Sequence, residues 1–135
     1  MRMLIFSLVL IGAPTFASAG TIPVRTPIGS FPIVPTKPVT HVELTRVDFL
    51  PGQEMPEHMH PVPVICFVTK GSFLVSIGAL PVRRASLGET TIEPAGTVVH
   101  YFRNASSKAS AQLNCAALAG ADDKMLNVML NEPSK

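Results

Sequence analysis

Residues 52–71 read GQEMPEHMHPVPVICFVTKG, and the reading of this stretch decides the fold. It holds two of the four histidines of the 135-residue chain, His58 and His60, one residue apart. Pro56, Pro61 and Pro63 crowd them, and an apolar run follows at once. Side chains two apart on a strand face the same way, about 7 Å apart at Cα. Two imidazoles so placed can converge on one metal ion, because neutral imidazole ligates iron, nickel, zinc and copper. The other reading is packing and hydrogen bonding within a proline-rich turn. An isolated H-x-H does not separate the two.

Outward from this stretch the chain reads as short strands with Gly and Pro punctuation. VTHVELTRVDFL (39–50) has apolar side chains on both parities, as in a strand buried on both sides or carrying a bulge. VICFVTK and SFLVSIG flank Gly71 as two strands. LPVRRAS, ETTIEP, TVVHYFRN and ASAQLNCAAL continue the series, separated by LG at 87–88 and PAG at 94–96. Such a run of short punctuated strands predicts an all-β sandwich or barrel. The last stretch differs. DDKMLNVMLNEP (122–133) opens on two aspartates and places Met125, Leu126, Met129 and Leu130 on a helical stripe. This predicts a short C-terminal helix within 121–135, which must dock on the body to persist.

The first nineteen residues have a positive start at Arg2, an apolar core over 4–13 and a small-residue pattern at Ala17, Ser18 and Ala19. They read as a secretory signal peptide, which predicts a periplasmic or secreted protein, soluble after cleavage. Residues 20–38 hold five prolines and read as an extended arm, packed along its own barrel or along a partner subunit. Residues 39–120 form one domain, long enough for a real core. Without Arg2 there are ten Lys and Arg against nine Asp and Glu. No basic stripe is present, so a nucleic-acid partner is not expected. Cys66 and Cys115 are the only cysteines. Export allows a disulfide between them, while their apolar surroundings equally suit buried thiols.

Two motif regions give the chain a resemblance to the cupin superfamily. Its first motif has the form G-x5-H-x-H-x3-4-E-x6-G. Here Gly52, His58, His60 and Gly71 match. Its second has the form G-x5-P-x-G-x2-H-x3-N. Here Gly88, Pro94 and Gly96 match, followed by His100 and Asn104 in HYFRN. Two departures stand out. The glutamate position of the first motif falls on Val64, or on Ile65 with the longer spacing. Three residues rather than two separate Gly96 from His100, and a one-residue slip on a regular strand reverses the facing of a side chain. A bulge that absorbs the extra residue would keep His100 inward.

The resemblance implies a double-stranded β-helix, a jelly-roll barrel over 39–120, and a metal held by His58, His60 and His100 without the customary carboxylate. It implies a divalent ion, iron(II) first, with manganese, nickel, zinc and copper as alternatives. His41 is a surface histidine or a fourth ligand. Glu54 shares the parity of the histidine pair, whereas Glu57 points away. Parity also places Val62, Val64, Cys66, Phe102 and Phe49 around an apolar pocket suited to a small apolar or aromatic chelator. The expected function is an exported metal-binding cupin, dioxygenase-like towards such a substrate. Its alternatives are a non-catalytic module binding a metal or small ligand, and a dimeric scaffold with vestigial histidines. Cupins commonly dimerise, so a homodimer is expected by the same resemblance.

Overall fold

The computed structural model describes residues 23, 25–34 and 36–131. The leader read at 1–19 lies outside the described residues. The chain divides into two compact units, Met1–Ser30 and Phe31–Lys135. In the first, the described residues 23 and 25–30 are in neither helix nor strand.

The second unit is built from strands alone among the described residues. They are β1 (His41–Phe49), β2 (Glu54–Met55), β3 (His58–Met59), β4 (Val64–Lys70), β5 (Ser72–Ile77), β6 (Arg83–Ser86), β7 (Thr90–Glu93), β8 (Val98–Asn104), β9 (Ala111–Ala119) and β10 (Val128–Met129). One antiparallel sheet runs β1-β9-β4-β7. The other runs β10-β3-β8-β5-β6, with β2 also paired to β8. Two antiparallel sheets with long crossings between them give the expected jelly roll. The chain passes from one sheet to the other over Pro61–Pro63. Gly96 N–H donates to His60 O (2.7 Å) and Leu118 N–H to Pro63 O (3.0 Å) at this crossing.

Alternation along the strands supplies the core. Phe73, Val75 and Ile77 of β5 are buried while Ser72, Leu74 and Ser76 between them are half-exposed. Phe49, Phe73 and Phe102 meet at its centre, with ring centroids 5.1 Å (49–73), 5.4 Å (73–102) and 6.0 Å (49–102) apart. A second cluster of Val62, Val64, Cys66 and Ala117 lies under the histidine pair. Cys66 and Cys115 face each other across the β4–β9 ladder and form a disulfide, which decides between the two readings of the cysteines.

Two of the shared motif residues act on the backbone. Gly71 turns β4 into β5 with φ +71°, and a Cβ there would meet Ala111 Cβ at 3.0 Å. Asn104 is buried and structural. Its amide donates to Leu50 O (2.9 Å) and Ala109 O (2.8 Å), and its oxygen accepts from Ser106 N–H (3.0 Å). It thereby clamps the turn before the histidine pair to the turn before β9.

The C-terminal helix is not formed among the described residues 121–131. Residues 121–131 contain a turn and then β10, which pairs with β3 through Val128↔Met59 and Met129↔His58. Asp123 accepts from Gly120 N–H (2.7 Å) and from Lys37 Nζ (2.6 Å), closing a tight turn instead of opening a helix. The free edge of β3 supplies backbone partners that a helix would forgo. A stripe of four apolar side chains is too short to outweigh them. Leu126 keeps its expected packing role, but against the Val62 cluster from extended chain.

Candidate metal centre

Strand β3 and the residue after it present His58 and His60 to the interior, as their spacing requires. His58 is buried and His60 nearly so, and their rings stand 5.2 Å apart and almost perpendicular. The third member of the cluster is Glu93, at the end of β7. Glu93 Oε2 lies 2.8 Å from His60 Nε2 and 3.9 Å from His58 Nε2. One ligand atom from each of the three residues lies within 4.8 Å of the others.

Glu93 occupies this place because of strand register. It is the direct partner of Val64 in the β4–β7 ladder. The carboxylate absent from position 64 therefore stands on the neighbouring strand, pointing into the same interior. Strand β7 carries a local sign of this. Thr91 and Glu93 are buried while Ile92 between them is only half-buried, an inverted alternation with the polar face inside. A carboxylate is kept buried only with partners or a metal, and here it has two imidazoles.

Both histidines are oriented from behind. His58 Nδ1 lies 2.9 Å from Pro56 O, and His60 Nδ1 lies 2.6 Å from Leu126 O. A carbonyl oxygen only accepts, so each Nδ1 carries the proton. Each Nε2 is then left to face Glu93. A backbone carbonyl behind a ligating imidazole is the usual outer support of a metal site, fixing tautomer and ring direction. Burial alone would push the His60 pKa down. The hydrogen bonds to Glu93 and to Leu126 O, with the Glu93 charge, outweigh it and raise the pKa above the ordinary value. In the metal-free protein the Glu93 carboxylate thus favours the protonated form of His60. The donor set of two imidazole nitrogens and one carboxylate fits a divalent first-row metal.

His100 is not brought to this cluster. The extra residue after Gly96 is taken up by a bulge, but the bulge falls at His100 itself. Ser76 pairs with Tyr101 and Ile77 with Val99, leaving His100 unpaired between them. Val99 takes the inward position and is buried, Phe102 resumes it, and His100 faces solvent. His100 Nδ1 contacts Glu57 Oε1, and Asn131 Nδ2 donates to Glu57 Oε2 (2.9 Å). The His100 contact, followed by that of Asn131, holds the Glu57 carboxyl below the usual range. Glu57 points away from the histidine pair, as parity requires, and Glu54 lies on the same outer side. His41 is exposed on β1, 3.6 Å from Glu43.

A cavity of about 170 Å³ opens over the cluster. Val47, Phe49, Met55, Val64, Phe102 and Leu113 make most of its apolar wall, with the Cys66–Cys115 pair at one side and Leu126 at another. Val62, expected at the pocket, is instead fully buried in the cluster with Val64, Cys66 and Ala117 and is not among the described lining residues. Glu43, Thr45 and Asn127 are polar lining residues beside the triad.

Residues 45–116 match the cupin domain family. Among solved structures, an oxalate oxidase in complex with the substrate analogue glycolate is 30% identical at a TM-score of 0.53, over 58% of this chain and 42% of that one. Another oxalate oxidase structure is 28% identical at 0.57, over 66% and 46%. The chain thus spans less than half the length of these oxidases. A double-stranded β-helix protein from Klebsiella pneumoniae, 21% identical at 0.52 over 59% and 69%, shares the fold. No curated protein matches the chain.

Proposed function

The chain belongs to the cupin family, and from that premise we propose that it binds a divalent metal through His58, His60 and Glu93. A small chelating ligand would then sit in the apolar cavity above these residues. The observation that carries this is the convergence of the three donors with both Nδ1 atoms tied to backbone carbonyls. Two histidines and one carboxylate leave coordination positions open for a ligand, and this set suits iron(II) or manganese(II). Such an ion supplies Lewis-acid and one-electron chemistry when bound.

The protein's share is positioning and exclusion of water. Pro56 O and Leu126 O hold the imidazoles with Nε2 forward. Glu93 brings one negative charge, so the loaded site keeps one net positive charge and attracts an anionic chelator. The cavity is close in volume to those that hold one benzene-sized molecule. A small chelating acid, diketone or catechol-like group meets both limits. The likeness to oxalate oxidases supports the oxidase or oxygenase form of this reading.

A binding module without turnover is the second reading. Among the described lining residues, Glu43 is the one ionisable side chain besides the triad, and it is exposed. No buried general base is therefore placed among these lining residues. Metal analysis of the purified protein, followed by dioxygen uptake with small chelating acids, diketones and catechols, separates the readings. Stoichiometric metal with uptake supports the enzyme, and metal without uptake supports the binder. Absence of metal at every loading condition removes both. We place the protein outside the cytoplasm, where its disulfide persists. We also read it as a homodimer through the exposed apolar side chains Val42 and Leu44 of edge strand β1.

A further inference from the structure

The Cys66–Cys115 disulfide lies in the wall of the metal cavity, not in a remote part of the core. Cys66 is buried, and its Sγ is 3.9 Å from Glu93 Oε1. Cys115 is the less buried partner and also lines the cavity. Directly across the β4–β7 ladder from Cys66 stands Thr91. Its hydroxyl is fully buried and has no hydrogen-bond partner among the described residues. Thr91 and Glu93 share the buried face of β7. An orphaned buried hydroxyl destabilises the fold unless something accepts from it. A disulfide sulfur is a poor acceptor, and a thiolate is a good one.

We propose that this disulfide is a redox-controlled part of the metal centre, and that on its reduction Cys66 becomes a fourth ligand beside His58, His60 and Glu93. The inference rests on the metal reading above. With the disulfide intact the site offers three ligands and stays open to a small molecule. With it reduced the site would offer two nitrogens, one oxygen and one sulfur, a four-donor set of the kind that suits zinc. Thr91 then donates its hydroxyl to the Cys66 sulfur.

The exchange balances with a dithiol as reductant. Its thiolate attacks the sulfur of Cys115, the less buried cysteine, and Cys66 leaves as thiolate. The reagent's second thiol then releases Cys115 and closes the reagent to a cyclic disulfide. Two electrons and two protons pass to the protein in all. The proton on Cys66 is displaced again when the metal binds.

Cobalt(II) tests this, because thiolate ligation adds an intense near-ultraviolet charge-transfer band to the weak visible bands of nitrogen and oxygen ligation. A phosphine serves as reductant, since it offers cobalt no thiolate. It takes the oxygen of one water and leaves two protein thiols. The oxidised protein should show the visible bands alone. The reduced protein should gain the charge-transfer band. Cys115→Ser should show it without any reductant, and Cys66→Ser should lack it in either state. Cys115→Ala replaces the serine variant if that does not fold by circular dichroism. Cobalt bound without the band in both the reduced protein and the Cys115 variant overturns the proposal and leaves the three-ligand site standing. A band that survives Cys66→Ser assigns the ligand to Cys115 and overturns it too. Failure of cobalt to bind either redox form removes the metal site and this inference together.

Discussion

Replacing Glu93 by Gln separates a metal-binding carboxylate from a structural one. The side chain is almost fully buried and its volume is kept by the amide, so packing changes little. What changes is the charge that faces both imidazoles. At free metal a hundredfold above Kd, the unmodified protein gains about 2.7 kcal/mol. In a domain of this size that raises Tm by roughly 10–20 °C, at about 4–8 °C per kcal/mol. Loss even of an outer-shell partner typically lowers metal affinity 10–100-fold, so loss of a ligand reaches at least the upper figure. At the same metal concentration the variant is then near its own Kd, and the gain falls to about 0.4 kcal/mol, or roughly 2–3 °C. The assay is thermal unfolding of metal-free and manganese-loaded protein, each variant read against its own metal-free state. That subtraction removes the cost of weakening the 2.8 Å contact between His60 and Glu93. His100→Ala is the control and should keep the full shift, because His100 faces solvent. A Glu93→Gln protein with the unmodified shift, or a His100→Ala protein without it, refutes the assignment of the triad.

The metal-free protein should also show a pH signature of His60, whose folded pKa is raised above the unfolded value of about 6.5. The stability from its contact with Glu93 is complete below that unfolded value and is lost as pH rises through the folded one. A Tm–pH series should show this decline, and His60→Gln should lack it. An equal decline in both proteins contradicts the pairing. Metal uptake should run the opposite way and weaken as pH falls through the same range, because the His60 proton must leave first. Converting both Cys66 and Cys115 to Ala should cost about 4 kcal/mol in urea unfolding, from the chain entropy released when a loop of 49-residue separation is no longer closed. A loss under about 1 kcal/mol would mean that the unfolded chain is not constrained in this way. Gly71→Ala should destabilise by about 1–3 kcal/mol, since the φ of +71° is strained for alanine and its Cβ would press on Ala111. Unchanged stability would refute the close approach.

Much of the fold was legible along the chain. Gly52, His58, His60 and Gly71 occur at their spacing, and Gly88, Pro94 and Gly96 at theirs, with short alternating strands between. These are local signals. Turn glycines and alternation act within a few residues, so they can be read without neighbours, and the two sheets follow from them. The pair His58 and His60 is local in the same sense, because side chains two apart on extended chain share a face. The segment 121–131 failed this test. Its helical stripe is a weak local preference, and it lost to the backbone partners on the open edge of β3.

The third member of the cluster was beyond local reading. His100 looked right by motif, yet whether it faces inward depends on where a bulge falls, and Ser76 and Ile77 of β5 decide that. Glu93 looked unremarkable, one residue before Pro94, and only the β4–β7 register sets it opposite Val64. The pairing of Cys66 with Cys115, and their position beside Glu93, likewise come from register between strands far apart in sequence. By itself the sequence determined the strands, the turns and the two histidines, because those depend on neighbours along the chain. Only the tertiary structure decided which carboxylate joins them, because cross-strand register is a property of the assembled sheet.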